Sequence, residues 1–149
     1  MAYDQRLESE RDFHNKRFGA EEERKEDAFY FAVQAAAEAY WRLVREAVRG
    51  KDALEYGCSH GEGSIGLAPV ASRITGIDIS DVAIGQAKEQ AVERGIGNVT
   101  FRVDNAEDMK LAPASFDVVF GSGILHHLVL EKARRDPPRA AAQRQGDLL

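Results

Sequence analysis

Four short stretches of this 149-residue chain carry residue types that could hold or act on a ligand. The first is ALEYGCSHGEG, Ala53 to Gly63, where Glu55, Gly57, Ser59 and Gly61 recur at every second position. Glycine accepts a left-handed backbone and lets the chain approach a ligand more closely than a Cβ allows. Where such a loop opens into a helix, the helix's free N–H groups face the same space. Ser59 is small enough to keep the loop, but a left-handed backbone there would be strained. Cys58, between two of these positions, has no paired base in the sequence and reads as a small apolar filler rather than a nucleophile.

The second stretch is ITGIDIS, Ile74 to Ser80, in which an apolar run ends on Asp78 and Ile79. A carboxylate at a strand end can accept two hydrogen bonds from a ribose diol. Ser80 is better placed than Asp78 to cap a following helix, which frees Asp78 for a ligand. The third stretch, NVTFRVDNAEDMKL, leads into Asn105-Ala106-Glu107, and the Asn105 carbonyl can accept a hydrogen bond. Asp104 is the alternative contact if the register shifts by one. The fourth, SFDVVFGSGILHHL, runs into Gly121-Ser122-Gly123 and then His126-His127. An imidazole can act as general base near neutral pH, which makes His127 the candidate catalytic residue. Asp117 stands at the start of this run and reads as structural.

These stretches need elements to position them. Brief strands are expected at Ala53–Tyr56, Arg73–Ile77, Val99–Val103 and Phe116–Phe120, with helices at Ser64–Ala71 and Asp81–Arg94. Strands alternating with helices imply crossovers and a parallel sheet, which binds ligands beyond the carboxyl ends of its strands. A longer helix is expected between Asp27 and Gly50, its buried stripe formed by Phe29, Val33, Ala36, Tyr40, Leu43 and Ala47. Residues 1–27 are charge-rich and read as an N-terminal lid or helix. Residues 28–132 read as the ligand-binding domain. Residues 133–149, with Pro137-Pro138 and no apolar period until the final leucines, read as an irregular tail.

Taken in order, the four stretches resemble the class I S-adenosylmethionine-dependent methyltransferases. Glu55-x-Gly57-x-Ser59-x-Gly61 is similar to the family's acidic-x-Gly-x-Gly-x-Gly loop, with Ser59 where a glycine is common. The resemblance covers roughly residues 10 to 132. It implies a doubly wound, Rossmann-like α/β fold, incomplete, with about four parallel strands of the usual seven and an N-terminal helical segment. It implies S-adenosyl-L-methionine as cofactor, held by Glu55, Gly57, Cys58, Ser59, Gly61, Asp78, Ile79, Asn105, Ala106, Gly121 and Ser122. Asp78 would take the ribose hydroxyls, Asn105 and Ala106 the adenine, and the Gly121-Ser122 turn the methionine part. The implied reaction is methyl transfer to a small-molecule acceptor.

Two rival readings come from other classes. Gly61-x-Gly63-x-x-Gly66 matches a dinucleotide fingerprint, which would make the chain a nicotinamide-dependent oxidoreductase. In that fingerprint the first glycine directly follows the strand, a place Gly57 takes here. The other rival is a cofactor-binding domain without catalysis. It gains weight from the ending, because the segment that leads such enzymes into a fifth strand is absent. Back-translated with GC-rich codons and read one base later, residues 134–149 give a stretch close to that segment. The expectation is therefore a truncated chain with an out-of-frame tail, and self-association through an uncovered sheet edge.

Composition narrows the partners. A net charge of −5 leaves no basic footprint for nucleic acid or an anionic membrane. No apolar run approaches a membrane span and the first ten residues are polar, so neither a span nor a signal peptide is expected. The single cysteine excludes an intramolecular disulfide, and no Cys/His spacing suggests a metal. A cytoplasmic setting follows as the default.

Overall fold

The computed structural model runs α1 (Tyr3–Gly19), α2 (Ala28–Ala47), β1 (Asp52–Tyr56), α3 (Glu62–Leu67), β2 (Arg73–Asp78), α4 (Asp81–Glu93), β3 (Val99–Val103) and β4 (Val118–Gly121). The structure describes residues 3–19, 28–111, 115–124 and 128. The expectations for His126, His127 and residues 133–149 lie outside the described residues.

All four strands are parallel, in the order β3-β2-β1-β4. The next two strands in sequence, β2 and β3, lie on one side of β1, and β4 lies on the other. The carboxyl end of β1 is therefore the switch point, where open α/β sheets place their ligands. Alternation along β1 feeds both faces of the sheet. Ala53 packs with Val44, Val48, Leu67, Ile74 and Phe120, whereas Leu54 packs with Ile77, Ala106 and Phe116. Leu54 is wholly buried, so Leu54→Ala would leave a cavity costing about 2–5 kcal/mol. Among the described residues β4 pairs with β1 alone.

Helix α4 shows how local signals place the site. Ser80 caps it, accepting from the Ala83 N–H at 3.1 Å. Ala83, Ile84, Ala87 and Ala91 form its buried stripe, and Gly95 follows with φ +66°. The cap fixes where β2 ends and hence where Asp78 points.

Three local expectations need correction. Tyr40 packs as expected, but Leu43 is 63% exposed and Ala36 and Ala47 are exposed too; Tyr40 is joined instead by Trp41 and Val44, and by Val48 just past the helix. Glu38, Arg42 and Arg45 line one side of this helix and leave a broad apolar arc, of which the sheet takes one edge. Helix α3 starts and ends earlier than expected, because Gly61, with φ +91°, turns the chain directly into Glu62. Beyond Leu67 the chain leaves the helix and Ala71 bridges to Arg49. β4 starts at Val118 rather than Phe116. Asp117 anchors that start: its N–H donates to Asp52 O at 2.8 Å and its carboxylate accepts from the Asp52 N–H at 3.0 Å.

Candidate cofactor site

The loop after β1 alternates into the left-handed region at Gly57 (φ +64°), Ser59 (φ +54°) and Gly61 (φ +91°). Among the described residues Ser59 is the one non-glycine there, a strain of about 1 kcal/mol. Main-chain bonds hold the shape. Cys58 N–H donates to Ile77 O at 3.0 Å and Gly61 N–H to Cys58 O at 2.9 Å. Packing closes in from outside: a Cβ at Gly57 would run into Ile124, and one at Gly61 into Phe101 and Ala87.

Asp78, half-buried at the end of β2, ties the loop to the sheet. Its two carboxylate oxygens accept from the Ser59 N–H and the Ser80 N–H, each at 2.9 Å. Each oxygen keeps a further lone pair, so the group retains room for a diol. Ile79, also half-buried, separates Asp78 from the helix cap.

Glu55 turns the other way. Its buried carboxylate accepts from Ser64 Oγ on α3 at 2.5 Å, and a Cβ at Gly63 would collide with Glu55 Oε1 and Trp41. Burial pushes its carboxyl up to about 7, against the stabilising bonds from Ser64 and with a smaller push from the negative charge of Asp78. Glu55 thus braces the loop from the α3 side. Gly63 faces this brace, which leaves the dinucleotide-type reading of Gly61, Gly63 and Gly66 without its open glycine. Cys58 is buried among Ile65, Ile84, Ala87 and Phe101. Burial first, then the charges of Glu55 and Asp78, raise its thiol far above the ordinary range, which suits packing and not nucleophilic attack.

After β3 the chain curls back. Asn105 Oδ1 accepts from the Glu107 N–H at 2.9 Å. Asp104 accepts from the Asn105 N–H at 2.8 Å, and its own N–H donates to Asp78 O at 3.0 Å. That last bond joins the third stretch to the second. Ala106 is buried against Leu54, Ile77 and Phe116. At the end of β4, Gly121 lies beside Tyr56 in register, while Ser122 is exposed. The fold therefore gathers Glu55, Gly57, Cys58, Ser59, Gly61, Asp78, Ile79, Asn105, Ala106, Gly121 and Ser122 at the carboxyl ends of four parallel strands.

Sequence reasoning missed what reaches this rim from α1. The Arg6 guanidinium donates to both oxygens of Glu107 at 2.8 and 2.9 Å, and the Glu107 side chain is 1% exposed. Farther along, Ser80 Oγ donates to Asn15 Oδ1 at 2.5 Å and Asn15 Nδ2 to Asp81 Oδ1 at 2.7 Å. The contacts span 101 and 65 residues of chain, so no local spacing could announce them. A separate cleft of about 300 Å³, lined by Trp41, Arg45, Glu62, Gly63, Gly66 and Leu67, contains none of the candidate residues. Among the described residues no cluster of His, Cys, Asp and Glu could hold a metal, and no helix is long and apolar enough to cross a membrane.

A family model described as a methyltransferase domain matches residues 47–135, more than half of the chain. Aklanonic acid methyltransferase DauC of Streptomyces sp. (strain C5) is 35% identical over 85 residues, covering 53% of this chain and 37% of that protein. Ubiquinone biosynthesis O-methyltransferase of Thiobacillus denitrificans is 34% identical over 89 residues, covering 59% of this chain and 38% of its own. The matches thus span little more than a third of these relatives' lengths. Magnesium protoporphyrin IX methyltransferase from Synechocystis PCC 6803, solved with bound SAM, superposes with a TM-score of 0.65. That likeness covers 86% of this chain and 66% of the other at 23% identity, and it shows the Rossmann-like fold.

Proposed function

The chain belongs to the methyltransferase-domain family, and on that footing we propose that it uses S-adenosyl-L-methionine to methylate a small-molecule acceptor. The observation that supports this best is the coupling of Asp78 to the left-handed loop through the Ser59 N–H. A half-buried carboxylate at the end of β2 and a loop after β1 whose glycines let main chain approach closely suit a nucleoside with a charged tail. Asp78 takes the ribose diol, with Ile79 beside it. Gly57, Cys58, Ser59 and Gly61 bring main chain close to the cofactor, and Glu55 braces them. Asn105 and Ala106 take the adenine edge, and Gly121-Ser122 the methionine part.

When bound, S-adenosylmethionine supplies a methyl group on a sulfonium leaving group. The chain's own contribution is to hold donor and acceptor in line. His127 is the proposed general base for the acceptor proton. Residues 1–27 act as a lid: α1 is pinned by Arg6 and Asn15 close to the residues that follow β2 and β3. The names of the aklanonic acid and ubiquinone-biosynthesis relatives support a small-molecule acceptor. The negative net charge argues against nucleic acid, and the cytoplasm is the setting proposed by default. Among the described residues β4 pairs on one side alone, which supports self-association through that edge, and sedimentation would reveal it as a concentration-dependent mass.

The reading is tested by thermal unfolding with S-adenosylhomocysteine, which should raise the melting temperature. NAD should not. A shift with NAD and none with S-adenosylhomocysteine would overturn the assignment.

A further inference from the structure

Tyr40 belongs to none of the four stretches and reads in the sequence as one more apolar residue of α2. Its hydroxyl nevertheless reaches the end of β4. It donates to the Gly121 carbonyl at 2.5 Å and accepts from the Gly121 N–H at 3.2 Å. One side-chain atom thus takes both main-chain groups of that residue. The ring is held edge-on to Trp41 at 5.3 Å, and Trp41 edge-on to Phe120 at 6.3 Å.

Gly121 is confined on its other sides. A Cβ there would lie 2.8 Å from the Tyr56 carbonyl oxygen and 3.2 Å from Ile124 Cγ2. The same Ile124 fills the space against Gly57. A line of contact therefore runs from Tyr40 through Gly121 and Ile124 to the loop after β1. It joins the Gly121-Ser122 turn, assigned above to the methionine part, to the loop whose main chain is assigned to approach the cofactor.

We propose that Tyr40 is a positioning residue for the methionine half of the cofactor. Its hydroxyl fixes the main chain of Gly121, and through Ile124 it sets the gap between the β4 exit and the Gly57–Gly61 loop. The proposal rests on the cofactor assignment made above. A role confined to packing would weaken every ligand and the fold alike. A positioning role weakens only ligands that carry the amino-acid tail.

The experiment compares S-adenosylhomocysteine with 5′-methylthioadenosine, which keeps the nucleoside and lacks that tail. Both are titrated into the wild-type chain, Tyr40→Phe and Val44→Ala. Val44 is buried one turn along α2 and serves as a packing control. Tyr40→Phe should weaken S-adenosylhomocysteine by about tenfold and methylthioadenosine by less than about twofold. Val44→Ala should lower the melting temperature and leave the ratio of the two affinities unchanged. An equal loss of both ligands in Tyr40→Phe, or the same change of ratio in Val44→Ala, overturns the role of Tyr40 and leaves the cofactor assignment standing. Failure of Tyr40→Phe to fold also overturns it, since the hydroxyl would then serve stability. A wild-type chain that binds neither ligand removes the cofactor assignment and the proposal together.

Discussion

Helix α1 and the loop after β1 both stand at the rim of the sheet, yet different forces hold them there. The loop is fixed through its own main-chain N–H groups, Cys58 on the Ile77 carbonyl and Ser59 on the Asp78 carboxylate, and by glycines with no room for a side chain. Helix α1 is fixed by side chains, with Arg6 on Glu107 and Asn15 on Ser80 and Asp81. Its Phe13 is 58% exposed, so little apolar burial secures it. A loop of the first kind changes shape only when the sheet edge does. A helix of the second kind can leave while the sheet stays folded.

The sharpest test of the loop's rigidity is its buried brace. The Glu55 carboxyl sits near 7 in the folded chain, above its ordinary value of 4.5. Between these values the folded state keeps a proton that the unfolded state has released. The associated stability is fully present below the lower value and is lost as pH rises through the upper one. Between pH 5 and pH 8, urea unfolding of the wild type should lose on the order of 2–3 kcal/mol more than Glu55→Gln. Parallel pH profiles for the two proteins would clear Glu55 of this role.

Next in size is the link between loop and sheet. Asp78→Ala should weaken S-adenosylhomocysteine binding by roughly 1–3 kcal/mol, read by titration calorimetry. Unchanged affinity would take Asp78 out of the site. On the α1 side, Arg6→Ala removes the guanidinium from a buried carboxylate and should cost about 1–2 kcal/mol. The loss should be local: trypsin should cut within α1 several-fold faster while the main unfolding transition moves little. A matching collapse of the whole domain would mean that α1 belongs to the core and cannot leave while the sheet stays folded. The smallest effect concerns Ser59. Ser59→Gly relieves the left-handed strain and should change stability by about 0.5–1 kcal/mol in the favourable direction. Cofactor affinity should hold or improve, and a marked loss would show that the Ser59 hydroxyl makes a contact of its own.

Much of the sheet was legible in the sequence because its strands are apolar runs stopped by glycine or a carboxylate. Asp78 could be placed at a strand end by this reasoning, and Ser80 and Gly95 marked the limits of α4. The strain at Ser59 was legible for the same local reason. The buried face of α2 was not, because AFYFAVQAAAEAYWRLV offers apolar residues to several faces and only the sheet selects one. The direction of Glu55 was also hidden. A carboxylate in a ligand loop suggests an outward contact, whereas Ser64, Gly63 and Trp41 form an inward socket for it. Arg6, Asn15 and Tyr40 each act on partners at least 65 residues away. Periodicity carries no trace of such pairings.

The strand order also ranks the steps by which the sheet can assemble. β1 and β2 meet across a separation of 21 residues, as between Asp52 and Arg73, whereas β1 and β4 meet across 65, as between Asp52 and Asp117. The longer closure costs about 1 kcal/mol more chain entropy before any contact offsets it. β3, β2 and β1 can therefore zip together through nearby crossovers while β4 is still unattached. The loop after β1 can acquire its left-handed turns and its bond to Asp78 during that early phase. Gly121 and Ile124, the pieces that close the loop from the far side, join afterwards. In a chain emerging from the ribosome, the part of the proposed site built by the loop and Asp78 would be shaped before Gly121, the part proposed for the methionine half.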